Sequence, residues 1–139
     1  MSYGSFTDKA IDHFKFPRNV GKLDDFNGEG YAGDPECGDY IKIYIKVDNN
    51  IIVDIGFLVF GCVGAIATSS ITTELVKGKT LEEALNISDM DVIESLGGLP
   101  ENKIHCSLLG PSGLKSAIKN YYDKISDLKK CLIENKVNF

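Results

Sequence analysis

The chain has 139 residues, of which 43% are hydrophobic and 25% are charged, values typical of one soluble globular domain. Its 15 basic and 20 acidic side chains give a net charge of −5, which argues against nonspecific binding to nucleic acid, because such binding needs clustered basic side chains at phosphates. No apolar run is long enough to cross a bilayer, and no secretory leader opens the chain. We therefore expect a cytoplasmic protein with a single domain over residues 1–139. We expect neither a membrane nor a nucleic acid as its partner.

The N-terminal region combines one helix signal with several turn signals. Ser5 and Asp8 have the spacing of a capping box, which predicts a short helix directly after them. Turn-forming residues between Pro17 and Gly21 end that helix. We expect an edge strand over residues 26–31.

Two strands and a helix follow in the middle of the chain. Residues 40–47 alternate between apolar and polar side chains, the period of a half-buried strand. Residues 48–50 form a turn, and residues 51–60 form a second, more buried strand, so the pair is predicted to be an antiparallel hairpin. A helix over 65–77 then begins after Cys62.

The second half of the chain is predicted to be helical. Two polar pairs predict the caps of short helices, a Gly/Pro-rich loop follows, and a last helix begins at about Pro111 with an apolar stripe at helical spacing. These features are, in order, Thr80 with Glu83, Ser88 with Asp91, Gly97 to Pro100, and the stripe of Leu114, Ala117, Ile118, Tyr121, Ile125, Leu128 and Leu132. Strands followed by helices indicate an α+β fold, in which helices cover one face of a small antiparallel sheet of about three strands.

Four cysteines in a cytoplasmic chain indicate metal-binding, catalytic or buried thiols rather than disulfides. Cys37 lies in a polar Pro/Gly loop, Cys62 at a strand-to-helix junction whose helix amides favour a thiolate, and Cys106 after a second Gly/Pro loop. Loops on a rigid frame can bring these three thiols together. We interpret Cys131, beside the apolar stripe, as a buried residue, and His13 as a structural or surface histidine.

Polar residues accompany two of the three cysteines. Asp39 follows Cys37 by two positions, which in extended chain returns its side chain to the same side. His105 directly precedes Cys106. Cysteine, histidine and carboxylate together suit either zinc or the irons of a cluster. Lys103 is close enough to Cys106 in the sequence to act on a sulfur bound there. The alternative is that Lys103 is a solvated surface lysine.

Five motifs in register resemble the IscU/NifU-type iron-sulfur cluster scaffold family over nearly the whole chain. They are Pro17-Arg18-Asn19-Val20-Gly21, Pro35-Glu36-Cys37-Gly38-Asp39, Gly61-Cys62 followed by Ala65-Ile66-Ala67-Thr68-Ser69-Ser70, Gly78-Lys79-Thr80-Leu81-Glu82-Glu83-Ala84, and Lys103-Ile104-His105-Cys106-Ser107. The resemblance implies a SufE/NifU-like fold and a scaffold that assembles and transfers clusters rather than a turnover enzyme.

The resemblance also implies a set of ligands. A [2Fe-2S] cluster would be held by Cys37, Cys62 and Cys106, with Asp39 or His105 as the fourth ligand. Thiolates bind iron strongly, whereas a carboxylate or imidazole leaves one corner easier to release. Asp39 is therefore expected to limit the lifetime of the cluster.

The resemblance implies partners as well. A cysteine desulfurase would pass persulfide sulfur to Cys106, with Lys103 as a possible assisting residue, and recipient apo-proteins would accept the finished cluster. An iron donor and a chaperone system would be further partners, although the chain has Glu101-Asn102 where the family's chaperone motif commonly has Pro-Val. We expect the working form to be a monomer or a weak dimer.

Two alternatives use zinc in place of iron. Cys37, Cys62, Cys106 and one of Asp39 or His105 could hold Zn²⁺ tetrahedrally, either in a zinc-dependent sulfurtransferase that accepts persulfide from the desulfurase, or in a structural zinc module that binds partner proteins. Zinc could also occupy the scaffold as isolated. The zinc-dependent branch usually has a longer segment between the second and third cysteines and no histidine before the third, so this sequence favours the scaffold.

Overall fold

The computed structural model describes residues 6–34, 36, 38–100 and 108–136, except for the side chains of Asp34 and of residues 129–136. In that part of the chain, strands come before most of the helices, which confirms the predicted α+β class. The elements are α1 Asp8–Lys15, β1 Gly28–Asp34, β2 Asp39–Asp48, β3 Ile51–Phe60, α2 Val63–Val76, α3 Leu81–Leu85, α4 Asp89–Ser95 and α5 Gly110–Lys136. The strands form one antiparallel sheet of order β1-β2-β3 within the described residues.

The predicted hairpin is the centre of the sheet. Asn49 and Asn50 form its turn with φ of 52° and 66°, and asparagine tolerates this left-handed region better than most residues. The odd-numbered apolar residues of β2 are buried as predicted. They are Ile41, Ile43, Ile45 and Val47.

A one-residue bulge in β3 sets the register of the hairpin. Val47 lies opposite Ile52, whereas Lys46 lies opposite Asp54, so Val53 has no partner on β2. Without this extra residue, the buried isoleucines of β2 would share their face with Asp54, since a shift of one residue exchanges the two faces of a strand. With it, apolar residues face one another across the strands. The pairs are Ile41 with Val59, Ile43 with Phe57, and Ile45 with Ile55.

Strand β1 is displaced towards the C-terminus from the predicted edge strand at 26–31, and it pairs with β2. Helix α5 packs directly on its backbone. A Cβ built on Gly30 would lie 2.2 Å from the backbone nitrogen of Ala117, so only glycine permits this approach. The close packing of α5 on β1 therefore depends on the missing side chains of Gly28 and Gly30.

Helix α5 also protects the outer edge of β1. The backbone N–H of Glu29 donates to Asn120 Oδ1 at 3.0 Å, and that of Tyr31 donates to Ser116 Oγ at 3.4 Å. Exposed strand edges favour unwanted pairing with other chains. Two polar side chains of α5 thus occupy the donors that such pairing would need.

The helices cover the face of the sheet that carries the buried isoleucines, and Leu114, Ala117 and Ile118 join this core. The predicted stripe of α5 ends earlier than expected, because Leu128 is 61% exposed. A helix of 27 residues is about 40 Å long and extends past strands of 7 to 10 residues. None of the helices in the described part of the chain is long and apolar enough to span a membrane.

The helix starts test the predicted caps. The capping boxes of Thr80 with Glu83 and of Ser88 with Asp91 are confirmed. The cap predicted for the first helix is wrong: Thr7 caps α1 by accepting from the backbone N–H of Ala10. Residue 5 lies outside the described residues.

The segment between α1 and β1 covers part of the opposite face of the sheet. Gly21 donates its backbone N–H to the Phe57 carbonyl at 2.8 Å, and Phe57 donates to the Asn19 carbonyl at 3.2 Å. Phe26 packs edge-on against Tyr44, with 5.1 Å between ring centroids. Tyr44 is consequently buried, although its position in the alternation puts it on the predicted polar face.

Candidate functional site

The junction between β3 and α2 carries the one candidate cysteine that lies among the described residues. Cys62 is the N-cap residue of α2, with extended backbone angles of φ −77° and ψ 179°, and it is half-buried. Its side chain does not accept the capping hydrogen bond, and the first turn of α2 contains no acidic residue. Cys62 therefore stands at the positive end of the dipole of this 14-residue helix.

Asp39 lies beside this junction. It is the first residue of β2, and its neighbour Tyr40 pairs with Phe60, so the two strands bring Asp39 opposite the residues that enter α2. Its Oδ1 atom is 3.0 Å from the position that a Cβ on Gly61 would take. The carboxylate of Asp39 thus packs against the residue that precedes Cys62.

The loop that carries Cys37 connects β1 to β2 at the same end of the sheet. Gly33 and Gly38 have φ of 95° and 94°, in a region that L side chains rarely adopt, and they flank the turn. Glu36 and Gly38 are exposed. The chain on either side of Cys37 is therefore open to solvent, next to the Asp39 carboxylate.

The remaining candidate residues, Cys37, Lys103, His105 and Cys106, lie outside the described residues, as does the side chain of Cys131. Within the described ranges, no group of three or more His, Cys, Asp and Glu side chains could hold a metal ion. The structure thus brings together Asp39 and the Cys62 junction, and the predictions made for the other residues stay predictions.

Helix α2 is anchored to the N-terminal region through buried polar contacts. His13 Nδ1 lies 2.7 Å from Ser70 Oγ, and His13 Nε2 lies 3.3 Å from Glu74 Oε1. Ser70 Oγ also accepts the backbone N–H of Arg18 at 2.9 Å. His13 is therefore a structural histidine, one of the two interpretations offered by the sequence, and its two ring nitrogens are occupied far from the Cys62 end of α2.

Burial and a neighbouring positive charge oppose protonation of the imidazole at this anchor. Burial lowers the pKa of His13, and the positive charge of Arg18 lowers it further. Arg18 donates to Asp12 Oδ2 at 2.6 Å, and this hydrogen bond lowers the pKa of the Asp12 carboxyl. A neutral imidazole with its proton on Nε2 can donate to Glu74 and accept from the Ser70 hydroxyl.

Gly61 is the feature of the site that sequence reasoning missed. The sequence names Gly61 only as part of a motif, whereas the structure gives it two close neighbours, Asp39 and Ala65. The importance of Gly61 could have been recognised only from the pairing register of the hairpin, which places Asp39 across from Gly61. That register depends on the bulge at Val53, which the alternation of residues does not specify.

Comparison with known proteins relates the chain to one family. The model of the NifU-like N-terminal domain matches residues 5–127. The iron-sulfur cluster assembly scaffold protein IscU 1 of Archaeoglobus fulgidus is 54% identical over 125 residues, which cover 90% of this chain and 82% of that protein. The scaffold protein IscU of Aquifex aeolicus is 51% identical over 126 residues, covering 89% of this chain and 80% of its own length.

A solved structure supports the fold independently. The N-terminal part of a nitrogen-fixing NifU-like protein from Brucella abortus superposes with a TM-score of 0.67, covering 85% of this chain and 94% of that chain. Its 18% sequence identity makes this a likeness of fold alone. Together with the family match over most of the sequence, it shows that the chain belongs to the NifU-like N-terminal domain family.

Proposed function

We propose that this protein is a scaffold on which [2Fe-2S] clusters are assembled and from which they pass to recipient apo-proteins. The observation that carries the proposal is the Asp39 carboxylate packed beside the start of α2, where Cys62 stands at the positive end of the helix. Relatives with about half of their residues identical carry the name of iron-sulfur cluster assembly scaffold. The cluster is the cargo of such a protein and not its permanent cofactor.

The proposed ligands are those that the family resemblance implies, and the proximity of Asp39 to the Cys62 junction supports two of them. Cys37, Cys62 and Cys106 hold the cluster, and Asp39 or His105 is the fourth ligand. Asp39 is a suitable labile ligand because carboxylate oxygen binds iron less firmly than thiolate sulfur. Three thiolates keep the cluster on the protein during assembly, and the weaker fourth position gives a recipient a place to attack.

Sulfur reaches the site from a cysteine desulfurase in this proposal. The Cys106 thiolate attacks the outer sulfur of the desulfurase persulfide, the desulfurase thiolate leaves, and Cys106 then carries the persulfide without net redox change. Lys103 assists near this sulfur. One oxidised [2Fe-2S] cluster needs two such sulfurs, whose reduction to sulfide takes four electrons. Two of these electrons come from the oxidation of the two ferrous ions that enter the cluster, and the other two come from a thiol or a reduced redox protein. One domain of 139 residues does this in the cytoplasm as a monomer or weak dimer, without being a turnover enzyme.

Anaerobic reconstitution with ferrous iron and sulfide tests the ligand set. We expect the wild type to develop the visible charge-transfer absorption of a [2Fe-2S] cluster, and Cys37→Ala, Cys62→Ala and Cys106→Ala to lose it. Cys131→Ala is the matched control, because the sequence predicts Cys131 to be a buried residue and not a ligand, so its removal should leave the spectrum unchanged. If all three ligand variants form the wild-type cluster, the ligand assignment is wrong.

The same experiment separates the zinc alternatives. Retained zinc without a cluster spectrum would favour a zinc-dependent sulfurtransferase. Unfolding of all three cysteine variants, together with a desulfurase that the protein does not stimulate, would favour a structural zinc module. Transfer of the cluster to an apo-ferredoxin, followed by its restored absorption, tests the second half of the proposed function.

Asp39→Ala tests the labile position. Because Asp39 is proposed to limit the lifetime of the cluster, removal of its carboxylate should slow the loss of the cluster to a chelator. The half-life of the charge-transfer absorption under anaerobic chelation measures this rate. A half-life equal to or shorter than that of the wild type would exclude Asp39 from this role.

A further inference from the structure

The backbone conformation at Gly61 does not require a glycine. Its φ lies outside the left-handed region, and the residue is exposed at the junction between β3 and α2. A Cβ at this position would nevertheless lie 2.7 Å from the Ala65 Cβ and 3.0 Å from Asp39 Oδ1. The glycine is thus needed for the space that it leaves open and not for its conformational freedom.

The neighbours of that space differ in how far they can move. Ala65 is fully buried in α2, and its Cβ is fixed to the helix backbone. The Asp39 carboxylate is the end of a half-buried side chain and can turn about its own bonds. Since the Ala65 Cβ cannot yield, a methyl group at residue 61 would force residue 61 itself to shift, and the Asp39 carboxylate is the neighbour that can move to accommodate it.

We propose that Gly61 is a positioning residue for the labile corner of the cluster. The space left by its missing side chain holds the Asp39 carboxylate against the start of α2, within reach of a cluster bound by Cys62. Gly61 thereby sets the rate at which the cargo leaves, through Asp39 and without touching the cargo. This inference rests on the proposed scaffold function.

A double-mutant cycle of Gly61→Ala and Asp39→Ala tests the inference. We expect Gly61→Ala to lengthen the half-life of the cluster under anaerobic chelation by about threefold or more, in the same direction as Asp39→Ala, because it moves the carboxylate away from the cluster. In the Asp39→Ala background the same substitution should change the half-life by less than about 1.5-fold. An equal change in both backgrounds, or a shorter half-life in Gly61→Ala alone, would overturn the inference.

A second variant separates positioning from damage to the fold. Gly61→Ala combined with Ala65→Gly removes the contact with the helix but keeps the one with the carboxylate, so it should retain the longer half-life. Ala65→Gly alone is the control and should leave the half-life at the wild-type value. If the combined variant returns to the wild-type half-life, the effect comes from α2 and not from Asp39.

The cluster-free protein gives an independent readout. Carbon-13 NMR of the side-chain carboxyl groups should show a shifted Asp39 resonance in Gly61→Ala, whereas Asp54, at the other end of the sheet, serves as an internal control and should not shift. An unchanged Asp39 resonance defeats the inference whether or not a cluster forms. Failure of the wild type to hold a cluster would instead refute the proposed function.

Discussion

Ser70 connects α2 to the N-terminal region, and Ser70→Ala measures the strength of that connection. The side chain is fully buried, and its Oγ atom serves both His13 Nδ1 and the backbone N–H of Arg18. Alanine keeps almost the same volume but removes both hydrogen bonds. The substitution therefore tests polar satisfaction with little change in packing.

The expected cost follows from the groups left without partners. A buried donor or acceptor without a hydrogen bond costs about 1–3 kcal/mol. Loss of Ser70 Oγ deprives His13, which is 3% exposed, and the partly buried Arg18 N–H. We expect Ser70→Ala to lower the free energy of unfolding by about 2–4 kcal/mol, a large part of the roughly 5–15 kcal/mol that stabilises a typical domain.

Urea denaturation of the metal-free protein, followed by circular dichroism, measures this cost against a matched control. Ser69 is equally buried, but among the described residues its Oγ donates to the Ala65 carbonyl of its own helix, at 2.6 Å. That carbonyl keeps its place in the helical ladder after Ser69→Ala, so the control should cost less than about 1 kcal/mol. Equal losses for the two variants would show that the bridge from Ser70 to His13 and Arg18 contributes nothing specific.

Two further predictions concern pH and packing. Burial and Arg18 lower the pKa of His13 from its ordinary 6.5, so below that pH the unfolded state binds more protons than the folded state. The contribution of His13 to the free energy of unfolding is therefore fully present above pH 6.5 and is lost as the pH drops towards the folded pKa. His13→Gln should flatten the dependence of the unfolding free energy on pH between about 7.5 and 5.5, and an unchanged slope would contradict this. Gly30→Ala would bring a Cβ to 2.2 Å from the Ala117 nitrogen and should cost about 3 kcal/mol or more. Gly98→Ala, at a position with φ of 115° and open space, should cost only about 1 kcal/mol, and a thermal melt that ranks the two variants the other way would refute the packing argument.

The hairpin shows what sequence periodicity can predict and where it stops. The alternation of β2 correctly assigned its buried face, because a strand with one buried face has a period of two. In β3 the alternation breaks at Val53, which leaves the register open between two pairings that differ by one residue. The register is decided by the packing of the apolar faces of β2 and β3 on the same helices. A contact between elements that are distant in the sequence cannot be read from the residues of one strand.

The sequence predicts the residue types of the candidate site but not how close those residues lie to one another in the structure. Asp39 and Cys62 stood out through their neighbours in the sequence, since carboxylates and thiols beside loops and helix starts suit metal chemistry. Their proximity depends on the bulged register of the hairpin and on the small size of Gly61. The register arises only when the two strands pair, and the need for a small residue at position 61 follows from that pairing. A single sequence motif therefore shows neither.

Helix α2 is buried on nearly every side, yet it is rich in hydroxyl groups instead of large apolar side chains. Thr68, Ser69 and Thr72 bond back to carbonyls of the same helix, which gives these buried hydroxyl donors acceptors within α2.

Ser70 and Thr73 also bond outwards. Ser70 binds His13 and Arg18, while Thr73 Oγ1 accepts from Asn19 Nδ2 at 3.0 Å. The N-terminal segment is thus attached at specific points to the later turns of α2, while Asn19 and Gly21 tie the same segment to Phe57 of β3. Helix and hairpin are held together through a third element, and this fixes the start of α2, with Cys62, relative to the start of β2, with Asp39.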